Sequence, residues 1–160
     1  MIAAGWIPVA LRAAAGPGAG PGPAPATAPK ETPGSRAQGE AFAVELVVPG
    51  AAGPGAAATA QVVLAARGPY HVNRDYPVSF RPDATSTARF PGPRIPLGEG
   101  AVTTPCTGFP GEACSVSWPL RFTAAPSGET RIAGVVSFSV CNPDRCLIEK
   151  VTLAAVVPAR

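Results

Sequence analysis

Histidine is almost missing from this sequence: His71 stands alone among 160 residues. It is far in the chain from every cysteine, and Cys106 and Cys114 are separated by seven residues. Only Cys141 and Cys146 approach the usual spacing of zinc ligands, so a zinc centre is disfavoured. No Ser-His-Asp set, phosphate loop or paired carboxylates stands out, which leaves the common hydrolytic and phosphoryl-transfer chemistries without residues. Charged side chains are scarce as well, at 14%, and the net charge is only +3. Neither a basic run nor aromatic–basic interleaving occurs, so nucleic acid is not expected as a partner. No stretch approaches the ~20 apolar residues that cross a bilayer, and the chain is expected not to span a membrane. Helical periodicity is absent too.

What the sequence has in quantity is glycine and proline, 18 and 21 residues, close to a quarter of the chain. Such a share marks turns, loops and low-complexity segments. Residues 1–15 are apolar and end in small side chains, which fits a signal-peptide remnant that lacks a basic start. Residues 16–38 form an Ala/Pro/Gly-rich segment, and 16–36 alone holds five glycines and six prolines. Almost no large apolar side chain is there to offset ordering entropy, so this segment reads as a disordered linker. No cysteine precedes Cys106, so a lipoprotein anchor is not expected. The folded domain is expected over 39–158.

Within that domain, residues alternate with a period of two rather than the helical 3.6. Phe42, Val44, Leu46 and Val48 mark a first strand, and 61–66 a second. Residues 70–72 and 78–80 read as short extended pieces, and 81–105 as an irregular excursion with a strand near Ile95. Val116, Trp118, Leu120 and Phe122 make the strongest strand, in which Pro119 favours an edge position. Residues 130–140 and 147–157 complete a terminal hairpin. About seven short strands and no helix predict an all-β, antiparallel, immunoglobulin-like β-sandwich.

The hairpin carries the most informative feature. Cys141 and Cys146 flank Asn142, Pro143, Asp144 and Arg145, four residues with turn chemistry. Facing residues of an antiparallel pair lie about 4.5–5.5 Å apart at Cα, within disulfide reach. Two close cysteine pairs suit an oxidising, extracytoplasmic compartment, with Cys106 joined to Cys114 and Cys141 to Cys146. Cys106–Cys114 encloses a Gly/Pro-rich loop and reads as a structural staple. For Cys141 and Cys146 two readings stand: a structural clip, or a redox-active pair at a reachable loop tip. Arg145 favours a Cys146 thiolate, whereas Asp144 opposes it.

Two segments, GPYHVNRD at 68–75 and GVVSFSVC with CLIEK at 134–141 and 146–150, resemble one known family. They are similar to the N-terminal periplasmic, immunoglobulin-like domain of the thiol–disulfide interchange reductase DsbD. The resemblance covers about 40–158. It implies a periplasmic electron-transfer module that exchanges disulfides through Cys141 and Cys146, with Cys146 the partner-facing sulfur. It also implies auxiliary roles for Tyr70 and His71 beside the pair, where Arg145 also lies, and a thioredoxin-like or membrane-embedded partner. No cofactor is required, because the sulfurs carry two electrons themselves. The Cys-x4-Cys spacing is one residue shorter than in that family, and Arg89, Phe90 and Pro91 are the sole candidate for its shielding loop. Because the sequence stops at Arg160, the family's other domains are expected to be separate proteins. The rival expectation is a noncatalytic interaction domain, secreted or periplasmic, that its two disulfides only stabilise.

Overall fold

The computed structural model describes residues 33–160. The expected signal-peptide remnant at 1–15, and the linker as far as residue 32, lie outside the described residues. Among the described residues the structure is all-β, as expected. It has ten strands rather than about seven: β1 (Arg36–Gln38), β2 (Phe42–Val47), β3 (Ala57–Ala66), β4 (His71–Val72), β5 (Ser79–Pro82), β6 (Ile95–Pro96), β7 (Val102–Pro105), β8 (Ala113–Thr123), β9 (Thr130–Cys141) and β10 (Cys146–Val157). The two strands that the sequence did not mark, β1 and β7, are pieces of three and four residues, too short to show a period.

All strand pairings are antiparallel, in the order β1-β2-β3-β8-β4-β9-β5-β6, with β10 on β9 and β7 on β8. This sheet folds back on itself into a sandwich-like body. Phe42 of β2 meets Phe138 of β9 edge-on across the core, with ring centroids 4.9 Å apart. The alternating residues read from the sequence fill that core: Val44, Leu46, Val62, Leu64, Val116, Leu120, Val136 and Val140 are all buried. Trp118 and Phe122 are core residues too. Gly134 is needed where β5 crosses β9, because a Cβ there would strike the carbonyl oxygen of Arg81 and sit 2.6 Å from Phe80 Cζ. Pro119 pairs with Gln61 on one side, while on the other β7 stops at Val102 opposite Ser117. The proline therefore occupies a local edge, as its missing N–H requires.

Two features position the functional region. β3 leaves β8 at Ala65 opposite Ser115, and β4 then takes the next place, with Val72 opposite Ala113. The other side of β4 pairs with β9, His71 against Cys141 and Val72 against Val140. β4 thus stitches the two layers together at the end that carries both cysteine pairs.

One boundary needs correction. The linker was expected to run to residue 38, yet Arg36, Ala37 and Gln38 pair with Glu45, Val44 and Ala43. Ser35 accepts a hydrogen bond from the Leu46 N–H at 2.7 Å, and Gly34 accepts one from Ala154 at 2.8 Å. Backbone pairing, not apolar burial, orders this stretch. Removing 1–32 should leave the melting temperature unchanged. Removing 1–38 forfeits several net hydrogen bonds, each worth about 1 kcal/mol, and should lower it by roughly 5–10 °C. Thermal denaturation of both truncations checks this, and equal melting temperatures would return β1 to the linker.

Candidate functional site

The terminal hairpin keeps one register from Val157 opposite Thr130 to Cys146 opposite Cys141. Its tip is built by Asn142. The Asn142 N–H donates to the Arg145 carbonyl at 2.9 Å. The Asn142 side-chain oxygen accepts from the Asp144 N–H at 3.0 Å and the Arg145 N–H at 2.8 Å. Pro143 has no N–H to satisfy, so the turn's donors are all accounted for. This closes the strands tightly enough for Cys141 and Cys146 to form a disulfide, with Cα atoms 4.0 Å apart. Its two ends differ in access: Cys141 is 7% exposed, whereas Cys146 is open to solvent.

Tyr70 and Arg145, 75 positions apart in sequence, meet beside this pair. The Arg145 guanidinium donates to the Tyr70 hydroxyl at 3.3 Å. That hydrogen bond, helped by the charges of Asp144 and Glu40, pushes the guanidinium above its already high ordinary value. Arg145 is therefore a permanent cation next to Cys146, although its full exposure screens its effect.

His71 lies opposite Cys141 on the neighbouring strand. Its Nε2 is 3.4 Å from the Glu112 carboxylate, while its buried Nδ1 has no hydrogen-bond partner. Its ring is 6.1 Å from that of Phe109. Glu112 and Phe109 both belong to the loop closed by the Cys106–Cys114 disulfide, whose Cα atoms are 4.7 Å apart. Within it, Cys106 N–H donates to the Glu112 carbonyl and Glu112 N–H to that of Phe109. Gly111 adopts φ of 85°, which favours glycine. Cys106 is 8% exposed and Cys114 half-buried, so this second disulfide is the less accessible one. All four cysteines are bridged in the local pairs that the sequence predicts.

The Cys141–Cys146 disulfide and the loop closed by Cys106–Cys114 thus border one groove of about 1260 Å³, whose walls include His71, Tyr76, Gly111, Glu112, Cys141 and Cys146. The sequence reading missed this closeness of the Cys106–Cys114 loop to Cys141. Local spacing contains no signal for it, because β4 brings the two regions together. The loop candidate at Arg89, Phe90 and Pro91 is corrected. Arg89 bridges to Thr123, at the opposite end of β8 from Ala113, and Phe90 packs 5.4 Å from Phe80 and 6.4 Å from Phe122. It covers core, not cysteine.

No protein-family model matches the chain, and no curated protein or solved structure is significantly similar to it. Among the described residues no three His, Cys, Asp or Glu side chains are grouped to hold a metal ion. Among the described residues no helix is long and apolar enough to cross a membrane. What the site offers chemically is a disulfide between one exposed and one buried cysteine, with an imidazole and a cation nearby.

Proposed function

We propose that this domain exchanges disulfides with a protein partner through Cys141 and Cys146, as its sequence resemblance to the DsbD N-terminal domain implies. The observation that carries the reading is the asymmetry of the pair: at a hairpin tip, Cys146 is exposed and Cys141 is buried. A purely structural clip does not need one sulfur within reach, whereas exchange does.

The partner's thiolate attacks Cys146 Sγ, forming a mixed disulfide. The Cys141–Cys146 bond breaks, and Cys141 Sγ leaves with its electron pair and then takes a proton. His71, paired with Cys141 on the neighbouring strand, is the auxiliary side chain beside the pair, and the proton comes from solvent. The partner's second thiolate then attacks its own bridged sulfur and releases Cys146. Two electrons pass from the partner's dithiol to this pair, the protons lost by the partner's thiols go to solvent, from which Cys141 takes one, and the partner is left with the disulfide. In reverse, the reduced pair hands them on. Arg145 favours the thiolate form of Cys146 whenever that sulfur is free. A thioredoxin-like or membrane-embedded protein supplies the partner's dithiol, and an oxidising, extracytoplasmic space such as the periplasm is where such disulfides persist.

The competing reading, a noncatalytic domain stapled by two local disulfides, requires both bridges to resist reductant until the protein unfolds. Selective alkylation separates the two. Folded protein treated with a low-millimolar dithiol and then alkylated should carry label on Cys141 and Cys146 and none on Cys106 and Cys114. Equal protection of all four under native conditions would favour the staple.

A further inference from the structure

A second cavity, of about 320 Å³, opens on the same outer face as the disulfide, lined by Tyr76, Ser79, Arg81, Arg94, Ser137 and Lys150, with Val135 at its wall. Three of these side chains are cations and none is an acid. Among the described residues the sole ion pair within 4.0 Å joins His71 to Glu112, so Arg81, Arg94 and Lys150 are left without a carboxylate. One of the three is pinned in place: Arg94 Nε donates to the buried Ser79 hydroxyl at 3.0 Å. Register explains the gathering. Ser79, Ser137 and Lys150 form one row across β5, β9 and β10, with Arg81 in the next row opposite Val135. Bringing three like charges together is unfavourable until an anion shares the pocket. Guanidinium groups beside hydroxyls form the donor set that a carboxylate accepts from.

The pocket shares one wall with the disulfide groove: Tyr76 lines both. Along β10 the exposed positions run Cys146, Ile148, Lys150, and Ile148 is 63% exposed between the sulfur and the cation. Four residues of extended strand put Lys150 about 13 Å from Cys146. The face therefore presents a reachable sulfur, an uncovered apolar side chain and a cationic pocket in line.

We propose that this pocket receives an acidic side chain of the protein that exchanges disulfides at Cys146, a carboxylate about 13 Å from that partner's reactive sulfur. The proposal rests on the exchange reading above. Its complementarity steers the encounter and sets the register in which the sulfurs meet, as charge pairs across an interface do.

Two thiol peptides test it, acetyl-Cys-Gly-Thr-Gly-Glu-amide and the same peptide ending in Gln, with the full-length protein. At low ionic strength the Glu peptide should open Cys141–Cys146 about 5-fold faster than the Gln peptide, and about 0.5 M salt should erase the difference. The ratio should fall to about 1 in Arg94→Gln/Lys150→Gln, and to an intermediate value in Lys150→Gln alone, which alters only an exposed side chain. A wild-type ratio near 1 at low salt, or a ratio unchanged by the double substitution, overturns the proposal. If neither peptide opens the disulfide, the exchange reading fails instead. The pocket is then judged with versions in which Ser replaces Cys, by the backbone amide NMR shifts of Ser79 and Ser137. Shifts with the Glu peptide alone, lost in the double variant, uphold the carboxylate site. Absence of Glu-specific shifts removes it.

Discussion

Cells producing the Cys141→Ala variant should accumulate a disulfide-linked complex that dithiothreitol dissolves, and cells producing Cys146→Ala should accumulate far less. Exchange passes through a mixed disulfide, and the sulfur left behind on this chain is the one that resolves it. With Cys141 gone, a partner joined to Cys146 meets no second thiol on this side. With Cys146 gone, the remaining cysteine is a buried residue, 7% exposed in the intact pair, which a partner reaches far less readily. Both variants should stay folded, because a six-residue ring constrains the unfolded chain by only about 2 kcal/mol in the entropy model. Non-reducing gels read the result. Equal trapping by the two variants would cancel the polarity assigned to the pair. Unfolding of both with no adduct would favour the structural clip.

The second large effect concerns the scaffold under that hairpin. Phe138→Ala should cost about 3–5 kcal/mol, and lower the melting temperature by roughly 10–20 °C. Phe138 is fully buried and meets Phe42 edge-on at 4.9 Å, so the truncation leaves a cavity between the two layers and removes an aromatic pair. Ile148, two positions past Cys146 and 63% exposed, is the control: Ile148→Ser should change stability by no more than about 0.5 kcal/mol. Denaturant titration of both variants measures the contrast. Similar losses would mean that β9 is not the anchor of the sandwich.

The hairpin and the Cys141–Cys146 bridge were legible in the sequence because one period of two runs unbroken on both sides of a turn with strong local chemistry. The same alternation exposed β2, β3 and β8. Elements held by hydrogen bonds alone left no such trace. β7 is exposed throughout, and β1 follows a Pro/Gly-rich run with nothing apolar to distinguish it beyond Ala37. The site was half visible. Tyr70 and His71 were expected beside the cysteines and lie there, yet Glu112 reaches His71 from 41 positions away through a pairing of β4 with β8. Phe90 looked like a cover for the disulfide, but an aromatic residue carries no address, and this one fills the far end of the core. Arg81, Arg94 and Lys150 come from three separate segments. Only the register of β5, β9 and β10 makes Lys150 part of a cationic pocket.

The reduction potential of Cys141–Cys146 in the folded domain tests the central claim most directly. Equilibration against defined thiol–disulfide buffers, with the Cys106–Cys114 bridge followed in parallel by peptide mapping, gives both values. The exposed sulfur of Cys146 and the cation beside it predict a potential for that pair above about −300 mV, where exchanging disulfides lie, with the Cys106–Cys114 bridge more reducing. A Cys141–Cys146 potential below about −300 mV, equal to that of its neighbour, would contradict the account.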